Sequence, residues 1–313
     1  MRERVEIEEV KEVNEVREKG GGVAAFFDLD GTLVALPSLE RRLFRALCYQ
    51  RVISAKNYFF WLKEVLRLVP RGINAILQEN KMYLRGVNTF DESDEGEGNF
   101  SSSHKSGHQA QGQASRIPSK RVRSNPRLPV PSFYSQAIER VAWHAEQRHQ
   151  IVLVSGTLEP LARRAARILE AELAARGIAV AIHVCATRLE ERDGKWTGRV
   201  LGEAMFGEAK ARAAKRLAEK MRLDLTRCYA YGDSMNDRWL LTVVGKPTAM
   251  NPSNDLADIA RKQNWPALHW NKEKELTQRT QSSQKAQRSQ RRGRMSKDTS
   301  VEKSVLERAE RCP

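Results

Sequence analysis

The run FFDLDGTLVA, residues 26 to 35, decides how the rest of the chain is read. Two aromatics lead into two aspartates, Asp28 and Asp30, with a glycine and a threonine directly behind them. The apolar lead, VAAFF from residue 23, has the length and composition of a buried strand, so its end delivers two carboxylates to nearly the same point. Like charges held that close repel. Either one carboxyl is protonated or something positive lies between them.

Outward from this run, short apolar stretches alternate with longer helical patterns. VAAFF is followed by IVLV at 151–154, VAIHV at 180–184, CYAY at 228–231 and PTAM at 247–250. Between them, YSQAIERVAWHAEQ, LEPLARRAARILEAELAARG and GEAKARAAKRLAEKM carry the apolar spacing of amphipathic helices. Such alternation predicts an α/β fold, a doubly wound parallel sheet covered on both faces. In sheets of this kind ligands sit beyond the carboxyl ends of the strands. Those ends carry Asp28 and Asp30, then Ser155 and Gly156, then Gly232, Asp233 and Asp237. A divalent cation resolves the repulsion among the acids, and Mg2+ is the oxygen-seeking ion held by one or two carboxylates with waters and phosphate oxygens.

Bulk composition narrows the classes. The 313 residues are 40% hydrophobic, enough for a substantial core, and carry a formal charge of +15. Residues 271–313 hold 12 Lys/Arg against 6 Asp/Glu, so much of the excess belongs to a basic tail. The cysteines Cys48, Cys185, Cys228 and Cys312 are scattered without a CxxC pair, which points away from zinc and disulfide frameworks and toward a reducing, cytoplasmic setting. No secretory signal or membrane span is expected: the N-terminus is charged, and Lys63, Glu64 and Arg67 break the most apolar helical stretch. Residues 1–22 read as a flexible segment ending in Gly20, Gly21 and Gly22. The stretches 88–130 and 271–313 are too polar to offset their ordering entropy and are expected to be a disordered insertion and a disordered tail.

The runs DLDGT and LVSGT, the lysine of GEAK and the run GDSMND resemble, in order and context, the four motifs of the haloacid dehalogenase superfamily of hydrolases. The hairpin and helix of residues 187–218 look most like its phosphoserine phosphatase-like branch. The resemblance spans about Val23 to Met250, apart from the polar insertion. It implies a Rossmann-like core over 23–37 and 131–270, a small helical cap over 38–87 inserted after the first strand, and a phosphoric monoester hydrolase. Asp28 would be the nucleophile that forms an aspartyl-phosphate, and Asp30 the general acid and base. Ser155, Lys210 and the amide of Gly156, expected at the start of a helix, would bind the phosphoryl group. Mg2+ would be held by the Asp28 carboxylate, the Asp30 main-chain carbonyl and Asp233, with Asp237 in support. Haloalkanoate dehalogenation and phosphonate hydrolysis share this fold, but the pairing of Asp30 with the metal carboxylates favours phosphate.

The substrate is expected to be a phosphomonoester of a small organic molecule. In L-phosphoserine phosphatases a glutamate nine positions after the nucleophile helps hold the amino group, and Pro37 stands there instead, with Glu40 out of register. A lipid phosphate such as lysophosphatidate, met at a membrane surface, is an alternative raised by the cap aromatics Tyr58, Phe59, Phe60 and Trp61, although the ordinary place for such residues is a core. The basic cap residues Arg41, Arg42, Arg45, Arg51, Lys56 and Lys63 would draw an anionic substrate or give peripheral contact with an acidic membrane. A reading of another class, a nucleic-acid or acidic-partner binding protein, rests on KRVR at 120–123 and RRGR at 291–294. No base-reading motif accompanies those runs, and no specific nucleic acid is expected. The sequence leaves the oligomeric state open.

Overall fold

In the computed structural model residues 21–90 and 128–270 are described. The segment up to Gly20, residues 91–127 of the expected insertion and the basic tail, with KRVR, RRGR and Cys312, lie outside the described residues. Six strands form one parallel sheet: β1 (Ala24–Phe27), β2 (Gln150–Leu158), β3 (Ile182–Thr187), β6 (Tyr229–Gly232), β7 (Lys246–Met250) and β8 (Ala267–Leu268). Their order is β3-β2-β1-β6-β7-β8, so β1 lies centrally, beside the point where the order reverses direction. The hairpin β4 (Leu189–Arg192) and β5 (Lys195–Val200) stands apart from this sheet as an antiparallel pair.

Alternation along β1 explains the two-layer cover. Ala25 and Phe27 face one core with α4 (Ser135–Glu146) and α5 (Glu159–Ala174), while Ala24 and Phe26 face another with α6 (Glu208–Met221), α7 (Arg238–Thr242) and α8 (Asn254–Lys262). All four β1 residues are fully buried, as a central parallel strand requires. Between β1 and α4 come three helices, α1 (Leu39–Tyr49), α2 (Ala55–Leu68) and α3 (Ile73–Glu79), which form the cap. Ser38 begins α1 by accepting a hydrogen bond from the Arg41 amide, and Leu39, Leu43 and Leu47 bury one face of it. Asn57, inside α2, donates to the carbonyls of Tyr83 and Arg85 and clasps the cap's returning strand of chain.

Three boundaries differ from the sequence reading. Gly22, placed in a flexible joint, donates to Arg222 O and accepts from Asp224 N, because the chain beyond α6 offers free backbone groups there. Asn88, Thr89 and Phe90, assigned to the polar insertion, pair with the hairpin instead: Thr89 N donates to Gly194 O, Trp196 N donates to Val87 O, and Phe90 packs edge-on against Trp196. Local polarity says nothing about backbone pairing with a distant strand. The third is at β2, which continues through Ser155 and Gly156 to Leu158, with a register shift after Ser155. Gly156 therefore lies in a strand, and α5 begins only at Glu159.

Candidate active site

The site is built at the carboxyl ends of β1, β2 and β6. Asp28 follows β1 and is anchored by its amide, which donates to Tyr231 O on β6. Its Oδ1 accepts from Lys210 Nζ at 2.5 Å, and the same ammonium donates to Asp237 Oδ1 at 2.5 Å. Lys210 reaches this point from the first turn of α6 and is 2% exposed. The second oxygen of Asp237 accepts from the amides of Asp233 and Ser234 and from Ser234 Oγ. Asp237 is thus saturated, and it shapes the loop that holds Asp233. Oxygens of Asp28, Asp233 and Asp237 all lie within 4.8 Å of one another.

Gly31 is what lets this loop close. It sits at φ +93°, where side chains are strained, and a Cβ there would lie 2.1 Å from Asp233 Oδ2. Asn251, on the turn after β7, donates to Gly31 O and fixes the same loop from behind.

Asp30 is held by two donors: the Leu39 amide to Oδ1 at 2.8 Å and the Thr157 hydroxyl to Oδ2 at 2.6 Å. Ser155 is buried, and its Oγ accepts from the Thr157 amide at 3.3 Å, which leaves the hydroxyl proton free to turn toward a ligand. At Gly156 the ring of Phe206 lies where a Cβ would be, 2.2 Å away. Thr187 ties the strands to the loop carrying Phe206: its hydroxyl donates to Gly156 O and accepts from Met205 N. All seven residues expected at the site, Asp28, Asp30, Ser155, Gly156, Lys210, Asp233 and Asp237, thus come from neighbouring strand ends and two helix starts. Thr157, Thr187 and Asn251 were not singled out. Thr157 stood in plain view within LVSGT, while the other two carry no local signal, because their partners are remote in sequence.

Charge is badly balanced here: three carboxylates face one ammonium. Burial, opposed by Lys210 and reinforced by Asp237, pushes Asp28 up to about 7. Burial with the charges of Asp28 and Asp237 pushes Asp233 up to about 9. Burial also raises Asp30, against the Thr157 and Leu39 hydrogen bonds and with help from Glu40. For Lys210, burial works to lower its pKa, but Asp237 and Asp28 outweigh it and the group stays firmly protonated. An all-oxygen donor set this short of positive charge fits a small hard cation such as Mg2+.

The cap aromatics are not core. Tyr58, Phe59 and Trp61 are 48%, 66% and 39% exposed, because α2 buries little beyond Asn57 and Leu68. Among the basic cap residues, Arg42 is committed to the structure, donating to the carbonyls of Pro37 and Ala35. The described residues contain no helix long and apolar enough to cross a membrane.

Known proteins resemble this chain in sequence and in fold. The model of the haloacid dehalogenase-like hydrolases matches residues 25–242. Phosphoserine phosphatase SerB1 of Mycobacterium tuberculosis is 30% identical over 253 residues, 77% of this chain and 69% of that protein. Another protein of that organism, described as a probable phosphatase, is 33% identical over 150 residues, so the match spans about half the length of that relative, 48%. A crystal structure of a protein of unknown function from Bordetella pertussis Tohama I shares the fold, with TM-score 0.50 and 24% identity over 79% of this chain and 98% of that one.

Proposed function

The chain belongs to the haloacid dehalogenase-like hydrolases, and on that footing we propose that it is a Mg2+-dependent phosphatase of a small organic phosphomonoester that works through an aspartyl-phosphate in the cytoplasm. The observation that carries the reading is the buried contact of Asp28 with Lys210, set among the oxygens of Asp233 and Asp237. The phosphatase names of two relatives support the choice within the family.

In this reading Asp28 attacks phosphorus, the oxygen–phosphorus bond to the alcohol breaks, and Asp30 gives its proton to the departing alkoxide. Asp30 then removes a proton from the water that attacks the acyl phosphate, which restores Asp28 and releases inorganic phosphate. A raised pKa at Asp30 suits the first duty, and its two hydrogen-bond donors suit the second. Ser155 and Lys210 bind the equatorial oxygens, whose charge is what the protein must neutralise. Asp28, Asp233 and the main-chain carbonyl of Asp30 would hold Mg2+, which supplies further charge for the phosphoryl group.

The test is hydrolysis of p-nitrophenyl phosphate with Mg2+ and with chelator. Chelation is expected to abolish turnover, and Asp28→Asn to lower kcat/KM by at least about a thousandfold. Turnover by that variant at the wild-type rate would remove Asp28 from the chemistry.

A further inference from the structure

A cavity of about 520 Å3 opens in the cap, within the roughly 300–1,000 Å3 of small-molecule sites. Phe44, Tyr58, Trp61, Ile76, Leu77 and Phe206 give it an apolar wall. Two features join it to the acids. Asp30 is hydrogen-bonded to the Leu39 amide, and the flanking residues Ser38 and Glu40 line the cavity. Phe206, which closes the other side, lies against Gly156 beside Ser155. On the phosphatase reading, an alcohol leaving past Asp30 would depart toward this space.

Three of the polar groups inside, Glu40, Lys81 and Tyr83, are matched to one another, while Arg41 stands at the exposed edge of the cavity. Glu40 Oε1 accepts from Lys81 Nζ at 2.6 Å and from the Tyr83 hydroxyl at 2.8 Å, and Lys81 is 3% exposed. This ion pair offers an amino-acid zwitterion little unspent charge. The rim is open and apolar: Leu77 and Tyr58 are 68% and 48% exposed, and Phe59, Leu62 and Ile73 extend the surface outward. A compact leaving group would leave most of the cavity unfilled. The geometry points to a phosphomonoester whose alcohol bears an unbranched apolar chain, a single-chain lipid phosphate, with the chain lying between α1, α2 and α3. This inference rests on the phosphatase reading for the placement of phosphorus. A second cavity, of about 570 Å3, also reaches Phe206 but is lined by charged pairs, Glu64 with Arg67 and Glu79 with Arg71, and suits polar groups.

Binding and turnover separate the two claims. Calorimetric titration of the Mg2+-loaded protein with monoalkylphosphonates, ethyl through decyl and below their micelle concentrations, reads the cavity without chemistry. The dissociation constant is expected to fall about fourfold per methylene until the cavity is full. Leu77→Asp, at an exposed position, is expected to flatten that series, and the octyl-to-ethyl ratio is the readout. A dissociation constant independent of chain length overturns the inference, whatever the activity. So does a kcat/KM for L-phosphoserine above that for octyl phosphate. A chain-length series that holds while p-nitrophenyl phosphate is not hydrolysed keeps the cavity's assignment and sinks the phosphatase reading instead.

Discussion

Thr157 gives its hydroxyl to Asp30, and on the proposed mechanism that bond would help to set when Asp30 can part with its proton. The bond favours the charged carboxylate and so works against the burial that raises Asp30. Thr157→Val removes it, and the pKa of Asp30 moves further up. In the proposed mechanism Asp30 is protonated when the alcohol leaves, so the alkaline limb of the kcat/KM profile is expected at higher pH in the variant. The base step then has less carboxylate at neutral pH, and kcat should drop about tenfold or more. An unmoved limb would give the proton to another group. At this scale the sequence reading reached far: the strand-end acids, the serine and the lysine are short-range patterns beside apolar runs. Thr157, Thr187 and Asn251 escaped because a hydrogen bond spanning 127 positions, as from Thr157 to Asp30, has no signature in either segment.

Elements were legible where period and length were both strong. The helices before and after β2, and the one carrying Lys210, fall within a few residues of their patterns. By contrast, β8 is two residues long, too short for any period to show, and β2 runs past its apolar stretch because β3 continues to offer backbone partners up to Thr187. The clasp at Asn57 is also a product of tertiary contact, since an asparagine in the first turn of a helix carries no signal of the remote carbonyls it will meet. Its amide satisfies two carbonyls, of Tyr83 at 2.9 Å and of Arg85 at 2.7 Å, the first buried and the second partly so. Asn57→Ala leaves both without that partner and is expected to cost about 2–3 kcal/mol. Urea unfolding followed by tryptophan fluorescence would measure it. A change of a few tenths would mean that water replaces the amide without loss.

For the whole molecule, acid is the stress to watch. His144, at the end of α4, is fully buried between Tyr231, 2.9 Å from its Nε2, and His149, 2.8 Å from its Nδ1. Burial first, then His149, Arg140 and Lys246, push it down to about 3. Above the unfolded value near 6.5 both states are neutral there, and the group adds no pH dependence. Between about 6.5 and 3 the unfolded chain takes a proton that the fold refuses, so stability falls as pH falls, by up to about 1.4 kcal/mol per unit. The urea midpoint is expected to be lower at pH 5 than at pH 7, and His144→Gln should shrink that difference while lowering the midpoint at pH 7. An unchanged difference would place the acid sensitivity elsewhere. The lacing of Gly86, Val87 and Thr89 to the β4–β5 hairpin bears on how the molecule works as a machine. Among the described residues, that lacing joins the end of the cap to the hairpin, so the two are expected to move together. A second tie lies at the corner where α3 meets the loop after β6, where Gln78 donates to Asn236 at 3.3 Å, and an opening of the cap at that corner would have to break it.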